Sequence, residues 1–273
     1  MGKAGKLIAI GGGDDEANDS LILREFIKLA GAGPKITVMT AATQHPAETG
    51  AEYKRLFTKL GVKKVTVVHV TSRADAISRE NCRVLDEETT GLFFTGGDQI
   101  YITSLIGGSP LHDSIRALHS NTVVIAGTSA GASMMSNLMI FDGDSDLNPR
   151  MGCVEMSAGL DLMSGCIIDV HFSQRGRHGR LLAAAAHYPH TLGLGIDEAT
   201  AAVIDGKILT VLGEGAVTLI DASTMTYTNA PELKEGESLS MADIKVHVLS
   251  HGERFDMEER KLIVTREIRK HTA

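Results

Sequence analysis

The chain has only three cysteines, Cys82, Cys153 and Cys166. An odd number, with no C-x-x-C pair and no histidine at ligand spacing, excludes a disulfide-stapled scaffold and a zinc module. Buried, reduced thiols in a cytosolic protein fit this pattern. No stretch reaches the roughly 18–20 consecutive apolar residues of a membrane span. The opening "MGKAGKLIAIGGG" has too short an apolar run for a signal peptide and reads as a strand. Lys6 stands where myristoylation at Gly2 would want a hydroxyl residue. Positive charge is also in deficit: 27 Lys and Arg against 34 Asp and Glu, a net charge of −7. That balance argues against a general nucleic-acid or anionic-membrane binder. No H-E-x-x-H spacing occurs, so neither a metal nor another cofactor is expected. Repeats, low-complexity tracts and Pro/Gly/Ser linkers are missing too. The expectation is one cytoplasmic domain over residues 1–273. At 43% hydrophobic, it has enough apolar residues for a sizeable core.

What is present is an alternation. Leu7–Gly11, Lys35–Thr40, Lys64–Val70, Gly91–Thr95 and Thr122–Gly127 are short apolar runs rich in β-branched residues. Amphipathic stretches separate them: Ser20–Gly31, Thr49–Leu60, Arg79–Glu88 and Leu111–His119. Continuous apolar strands alternating with helices predict an α/β fold, mostly a parallel sheet with helices on both faces. After residue 190 the strands shorten, and Asp205–Gly206 is a hairpin turn signal. An antiparallel C-terminal extension is expected there, with a last strand pair around Lys245–His251 and Lys261–Thr265.

The stretch "VVIAGTSAGASMM", Val123 to Met135, runs a buried strand into Gly-Thr-Ser-Ala-Gly and then a helix-like segment. This is the nucleophile-elbow pattern, in which a serine sits on a sharp turn between glycines. Ser129 is the candidate nucleophile, and the Ala130 N–H would face a developing oxyanion. The bland alternative is a tight turn with Ser129 capping a helix Ala130–Leu138. A serine hydroxyl needs a neighbouring base. Among eleven histidines, His171 stands out because it ends the strand of "GCIIDVHF". Strand ends at the carboxyl edge of an α/β sheet line the site. A carboxylate should orient that imidazole. "LGLGIDEATA" offers Asp197 and Glu198, and strand alternation alone does not choose between them. The order Ser, His, acid disfavours the α/β-hydrolase fold.

Two further segments carry chemistry. "LFFTGGDQ" runs another strand into a double glycine, so Gly97 and Asp98 could supply the second oxyanion donor. In "SQRGRHGRLL", Arg175, Arg177 and Arg180 fall within six positions just past His171. Clustered guanidinium groups suit an anionic substrate, and Asp169 and Asp98 could hold a cationic one. "IAIGGGDDEA" superficially resembles a dinucleotide loop. It lacks the G-x-G-x-x-G frame, and Asp14, Asp15 and Glu16 would repel a pyrophosphate.

With "FTGGDQ", "AGTSAGASMM", "DVHFSQRGRHGRL" and "LGLGIDEAT" in that order, the chain resembles the cyanophycinases, in the serine peptidase group that includes dipeptidase E. The resemblance runs nearly the whole length. It implies a flavodoxin-like or class I glutamine-amidotransferase-like fold. It also implies a triad of Ser129, His171 and Glu198, with Gln99, Asp169, Arg175, Arg177 and Arg180 lining the substrate cleft. The implied substrate is cyanophycin, a poly-aspartate chain with arginine on each β-carboxyl, cut to β-Asp-Arg dipeptides. A homodimer without cofactor is implied as well. The other activity in the group is cleavage of short Asp-X dipeptides. One departure is visible: cyanobacterial relatives carry Gln directly before the histidine, where this chain has Val170. One substrate hydrogen bond is therefore expected to be lost or replaced.

Overall fold

The computed structural model describes residues 4–13, 21–145 and 148–264. Five short apolar runs become the parallel strands β1 (Leu7–Ile10), β2 (Lys35–Met39), β3 (Lys64–Val68), β4 (Gly91–Phe94) and β5 (Val124–Thr128). Between them lie α1 (Leu21–Leu29), α2 (Pro46–Lys59), α3 (Arg73–Ala76), α4 (Arg79–Glu88), α5 (Gln99–Ile106) and α6 (Pro110–Ser120). The strands line up as β1-β5-β4-β2-β3, every neighbouring pair parallel. On β1, Ile8 and Ile10 pack with Leu23, Phe26 and Phe57. Leu7 and Ala9 pack on the other face with Ile102, Ile106 and Ile115. Helices cover both faces, which is why the strands read as unbroken apolar runs.

Past β5 come a short turn of helix, α7 (Ala130–Ser133), and the paired strands β6 (Leu138–Gly143) and β7 (Val154–Ala158). The helix expected over Ala130–Leu138 stops after one turn. Beyond it, the carbonyls of Met134 and Met135 accept hydrogen bonds from Leu160, Leu162 and Met163, which draws the backbone out of the helical path. Then follow β8 (Cys166–Val170), α8 (His178–His187), β9 (Leu192–Ile196), β10 (Thr200–Asp205), β11 (Ile208–Gly213) and β12 (Val217–Asp221). The chain continues through the small pair β13 (Tyr227–Thr228) and β14 (Met241–Ala242) to β15 (Lys245–Leu249), β16 (Arg254–Asp256) and β17 (Lys261–Ile263). The expected hairpin joins β10 to β11 through Gly206, whose φ of 61° suits glycine. These two strands, with β16 and β17, extend the large sheet antiparallel from β1.

The C-terminal strands are arranged differently from expectation. The segments around Lys245–His251 and Lys261–Thr265 do not pair with each other. β15 pairs with β12, while β17 pairs with β16; Thr265 lies outside the described residues. The turn after Leu249 carries the chain from one sheet to the other, and His247 packs on Phe255 across the gap at 5.1 Å. A second sheet of four strands results, ordered β15-β12-β9-β8. One face packs Ile168, Val170, Leu194 and Ile196 against the core of the large sheet. The other packs Ile167 and Ile220 under Leu181 of α8. The parallel pair β8 and β9 therefore ends beside the carboxyl ends of β1, β4 and β5, so residues from two sheets meet at one rim.

Candidate active site

The elbow is dictated by close approaches. A Cβ on Gly127 would lie 2.1 Å from the Gly131 carbonyl oxygen, and one on Gly131 would lie 2.7 Å from the Phe94 carbonyl oxygen. Only glycine fits at either side. Between them Ser129 takes φ 53° and ψ −114°, a conformation that costs a non-glycine residue about 1–3 kcal/mol. Its N–H donates to the Ile10 carbonyl at 3.0 Å, which ties the turn to β1. The strained backbone lifts the hydroxyl off the strand end.

Ser129 Oγ lies 2.8 Å from His171 Nε2, and His171 Nδ1 lies 2.6 Å from Glu198 Oε1. A carboxylate only accepts, so Nδ1 carries the proton and Nε2 is left to accept from the serine hydroxyl. His171 is itself left-handed, at φ 48°, because it turns off β8 to face the elbow. Its N–H donates to the Gly11 carbonyl at 2.8 Å, and the Ala199 N–H donates to the Gly12 carbonyl at 2.8 Å. The triple glycine after β1 thus clasps the histidine and acid loops together. A Cβ on Gly12 would sit 2.2 Å from His171 Cε1, in the space the ring occupies. The segment with a superficial dinucleotide-loop look is instead the surface on which the imidazole rests. Its acids Asp14, Asp15 and Glu16 lie outside the described residues.

Asp197 and Glu198 divide their work. Asp197 is 8% exposed and accepts from the Ser173 and Ala216 N–H groups, which stitches the β8 and β9 ends to the start of β12. Glu198, its N–H held by Gln174 Oε1 at 3.1 Å, reaches the imidazole. Burial pushes the His171 pKa below its ordinary value of 6.5. Glu198 pulls it up again, and the positive charges of Arg175 and Arg177 push it down. The ring is therefore held neutral, as a general base must be.

The remaining residues singled out from sequence separate by burial. Gly97, at φ 138°, passes so close to the Ala42 carbonyl that a Cβ would lie 2.1 Å from its oxygen. No partner is found for the Gly97 N–H or the Ala130 N–H among the described residues. The Asp98 N–H, by contrast, donates to Ala42 O at 2.9 Å, and the Asp98 carboxylate caps α5 through the Ile100 N–H. Asp98 therefore leaves the candidate oxyanion donors, and Gly97 and Ala130 remain candidates. Gln99 donates its amide to the carbonyls of Ile140 and Phe141 on β6.

Asp169 is 1% exposed and Arg180 6%. Arg180 grips both oxygens of Asp169, through Nε at 2.7 Å and through a second, shorter contact. Arg177 reaches the same carboxylate and donates to Val170 O at 2.7 Å. Burial lowers the Arg177 guanidinium to about 10, against the pull of Asp169. Removing one partner of so buried a pair costs about 3–5 kcal/mol. Arg177 and Arg180 are both engaged by Asp169, so the expectation of three substrate-facing arginines narrows to Arg175, which is exposed. Val170 is 4% exposed and packs inward with Leu194, so the position held by Gln in the cyanobacterial pattern faces the core here.

The cavity beside Ser129 holds about 310 Å³, and besides His171 its lining includes Thr49, Glu52 and Tyr53 of α2. Sequence reading missed these three. A larger cavity of about 500 Å³ near His119, Cys166 and Arg260 contains no member of the triad. Burial pushes the Cys166 thiol up to about 12, out of the reactive range. Among the described residues, no group of three His, Cys, Asp or Glu could hold a metal ion. No described helix is long and apolar enough to cross a membrane.

An elbow serine, a neutral imidazole and an orienting carboxylate at the rim of an α/β sheet define a serine-type peptidase. Residues 7–212 match the model of peptidase family S51, and the chain belongs to that family. It is 38% identical over 261 residues to a cyanophycinase of Trichormus variabilis, covering 94% of this chain and 87% of that one. It is 34% identical over 253 residues to a cyanophycinase of Geminocystis herdmanii, covering 92% and 93% of the two chains. A solved peptidase from an acI-B1 actinobacterium shares the fold, with TM-score 0.67 and 21% identity over 93% of this chain and 97% of that one.

Proposed function

We propose that this peptidase hydrolyses cyanophycin to β-Asp-Arg dipeptides through an acyl-enzyme on Ser129. The observation that carries the reading is the continuous chain Ser129–His171–Glu198, at 2.8 and 2.6 Å, in a protein whose relatives are named cyanophycinases. Ser129 Oγ attacks an aspartyl main-chain carbonyl while His171 Nε2 takes the hydroxyl proton. The oxyanion that forms is met by the N–H groups of Gly97 and Ala130. As the tetrahedral intermediate collapses, His171 returns the proton to the leaving amine and the C–N bond breaks. Water, deprotonated by His171, then attacks the ester and restores the serine. Glu198 holds the imidazole in the Nδ1–H tautomer and balances its charge while it is protonated.

Arg175 beside the histidine supplies positive charge for the carboxylates of a poly-aspartate chain. Asp169, Arg177 and Arg180 position that wall, and Gln99 fixes the start of α5 against β6. The three free cysteines suit a reducing cytoplasm, and a homodimer without cofactor completes the reading.

Incubation with purified insoluble polymer, followed by mass spectrometry of the soluble fraction, tests the substrate. The expected product is the β-Asp-Arg dipeptide, with little turnover of Asp-Leu in a parallel reaction. Cleavage of Asp-Leu with the polymer left intact would replace this reading by an aspartyl dipeptidase.

A further inference from the structure

The cavity beside Ser129 is lined by His171 and by Thr49, Glu52 and Tyr53 of α2. Arg175 and Arg177 act on His171 through their positive charges. A spacing of three and four residues puts Thr49, Glu52 and Tyr53 on one helical face. Glu52 is exposed, and among the described residues no ion pair engages it. The other acids near the site, among the described residues, are already committed. Glu198 holds the imidazole, Asp169 is held by two arginines, Asp197 stitches loop backbone and Asp98 caps α5. Among the described residues, Glu52 is therefore the one carboxylate lining the cavity.

Its position is fixed by the core beneath it. The neighbouring Tyr53 is 3% exposed, with its ring 4.9 Å from that of Phe93 on β4 and 6.4 Å from that of Phe57. Phe57 in turn meets Phe93 at 5.3 Å and Phe26 of α1 at 5.8 Å. Several of the few aromatic rings in this chain are thus spent on anchoring α2. Gly50 lets the helix approach β3, where a Cβ would fall 2.6 Å from a Val67 methyl carbon. A side chain on so well anchored a helix presents its charge with little loss of freedom on binding.

We propose that Glu52 is a specificity-determining residue that receives the arginine guanidinium of the substrate at the catalytic cavity. This rests on the reading of the chain as a peptidase acting on arginine-bearing aspartyl polymer. A repeating unit that carries a carboxylate and a guanidinium matches a cavity lined by a carboxylate, with arginine charge acting on the neighbouring His171. A planar guanidinium donates two parallel hydrogen bonds to a carboxylate and adds a full positive charge; a neutral urea can offer the same pair of donors but not the charge. The contact forms with the side chain of the substrate, away from the scissile bond, so it acts mainly on binding.

The test uses two soluble oligomers, one of β-Asp-Arg units and one in which citrulline replaces arginine. Citrulline keeps the shape and removes the charge. The wild-type protein should prefer the arginine oligomer by roughly tenfold in kcat/KM. Glu52→Gln should lose that preference through a higher KM on the arginine oligomer, with kcat nearly unchanged and the citrulline rate retained. Glu52→Asp should restore part of it. If Glu52→Gln keeps the wild-type preference, or loses activity equally on both oligomers, the assignment of Glu52 is overturned. If wild-type protein cleaves neither oligomer, it is the substrate reading itself that fails.

Discussion

Ser129→Ala is expected to lower kcat on polymer by about 10⁴–10⁶-fold while the protein stays folded. Removing the nucleophile of a serine triad leaves only binding and oxyanion stabilisation, and known triads lose rate on that scale. The strain at position 129 belongs to the backbone and is held by Gly127, Gly131 and the bond from the Ser129 N–H to Ile10 O. Alanine inherits the same turn, so the thermal midpoint should move by only a few degrees. Product release measured beside a thermal melt separates the two effects. Near-normal turnover by a folded variant would remove Ser129 from the chemistry.

The second large effect is expected from Glu198→Gln. The amide keeps the shape but presents either a donor or a neutral acceptor to Nδ1, so the imidazole loses its fixed tautomer. A fall in kcat of about 10²–10⁴-fold follows; the lower end reflects a carboxylate whose side chain is 39% exposed and partly screened. The pH profile adds an independent readout. His171 must be neutral to act, so activity is lost as pH falls through its pKa. Burial sets that pKa below 6.5, and Glu198 is the neighbour that raises it. The acid limb of kcat/KM should therefore lie below pH 6.5 in the wild type and move further down in the variant. An upward move would contradict the assigned role of Glu198.

The candidate nucleophile was legible in sequence because its constraint is local. The glycines two residues either side of Ser129 are required by contacts that a short turn always makes. His171 was legible by its place at the end of an apolar strand. The choice between Asp197 and Glu198 was not, because both lie beyond β9 in a turn that continues into Ala199 at φ 51°. Strand alternation has no meaning there, and the resemblance to a family made the choice. The second sheet was hidden for a related reason: β8 and β9 are parallel and apolar like β1 to β5, and nothing local says which sheet a buried strand joins. The ion pair of Asp169 and Arg180 was not legible: sequence reading turned both toward the substrate, and their mutual burial depends on partners that composition does not reveal. Glu52 was invisible for the opposite reason: a polar residue on an amphipathic helix looks like any solvated face until the sheet places that face over the serine.

Catalysis requires the substrate to meet these side chains at one rim. The most direct measurement is a crystal structure of Ser129→Ala with a short β-Asp-Arg oligomer bound. A main-chain aspartyl carbonyl carbon should lie within about 4 Å of the alanine methyl, close to where Oγ would attack. Its oxygen should point at the N–H groups of Gly97 and Ala130. An oligomer bound with every main-chain carbonyl far from position 129 would contradict the mechanism.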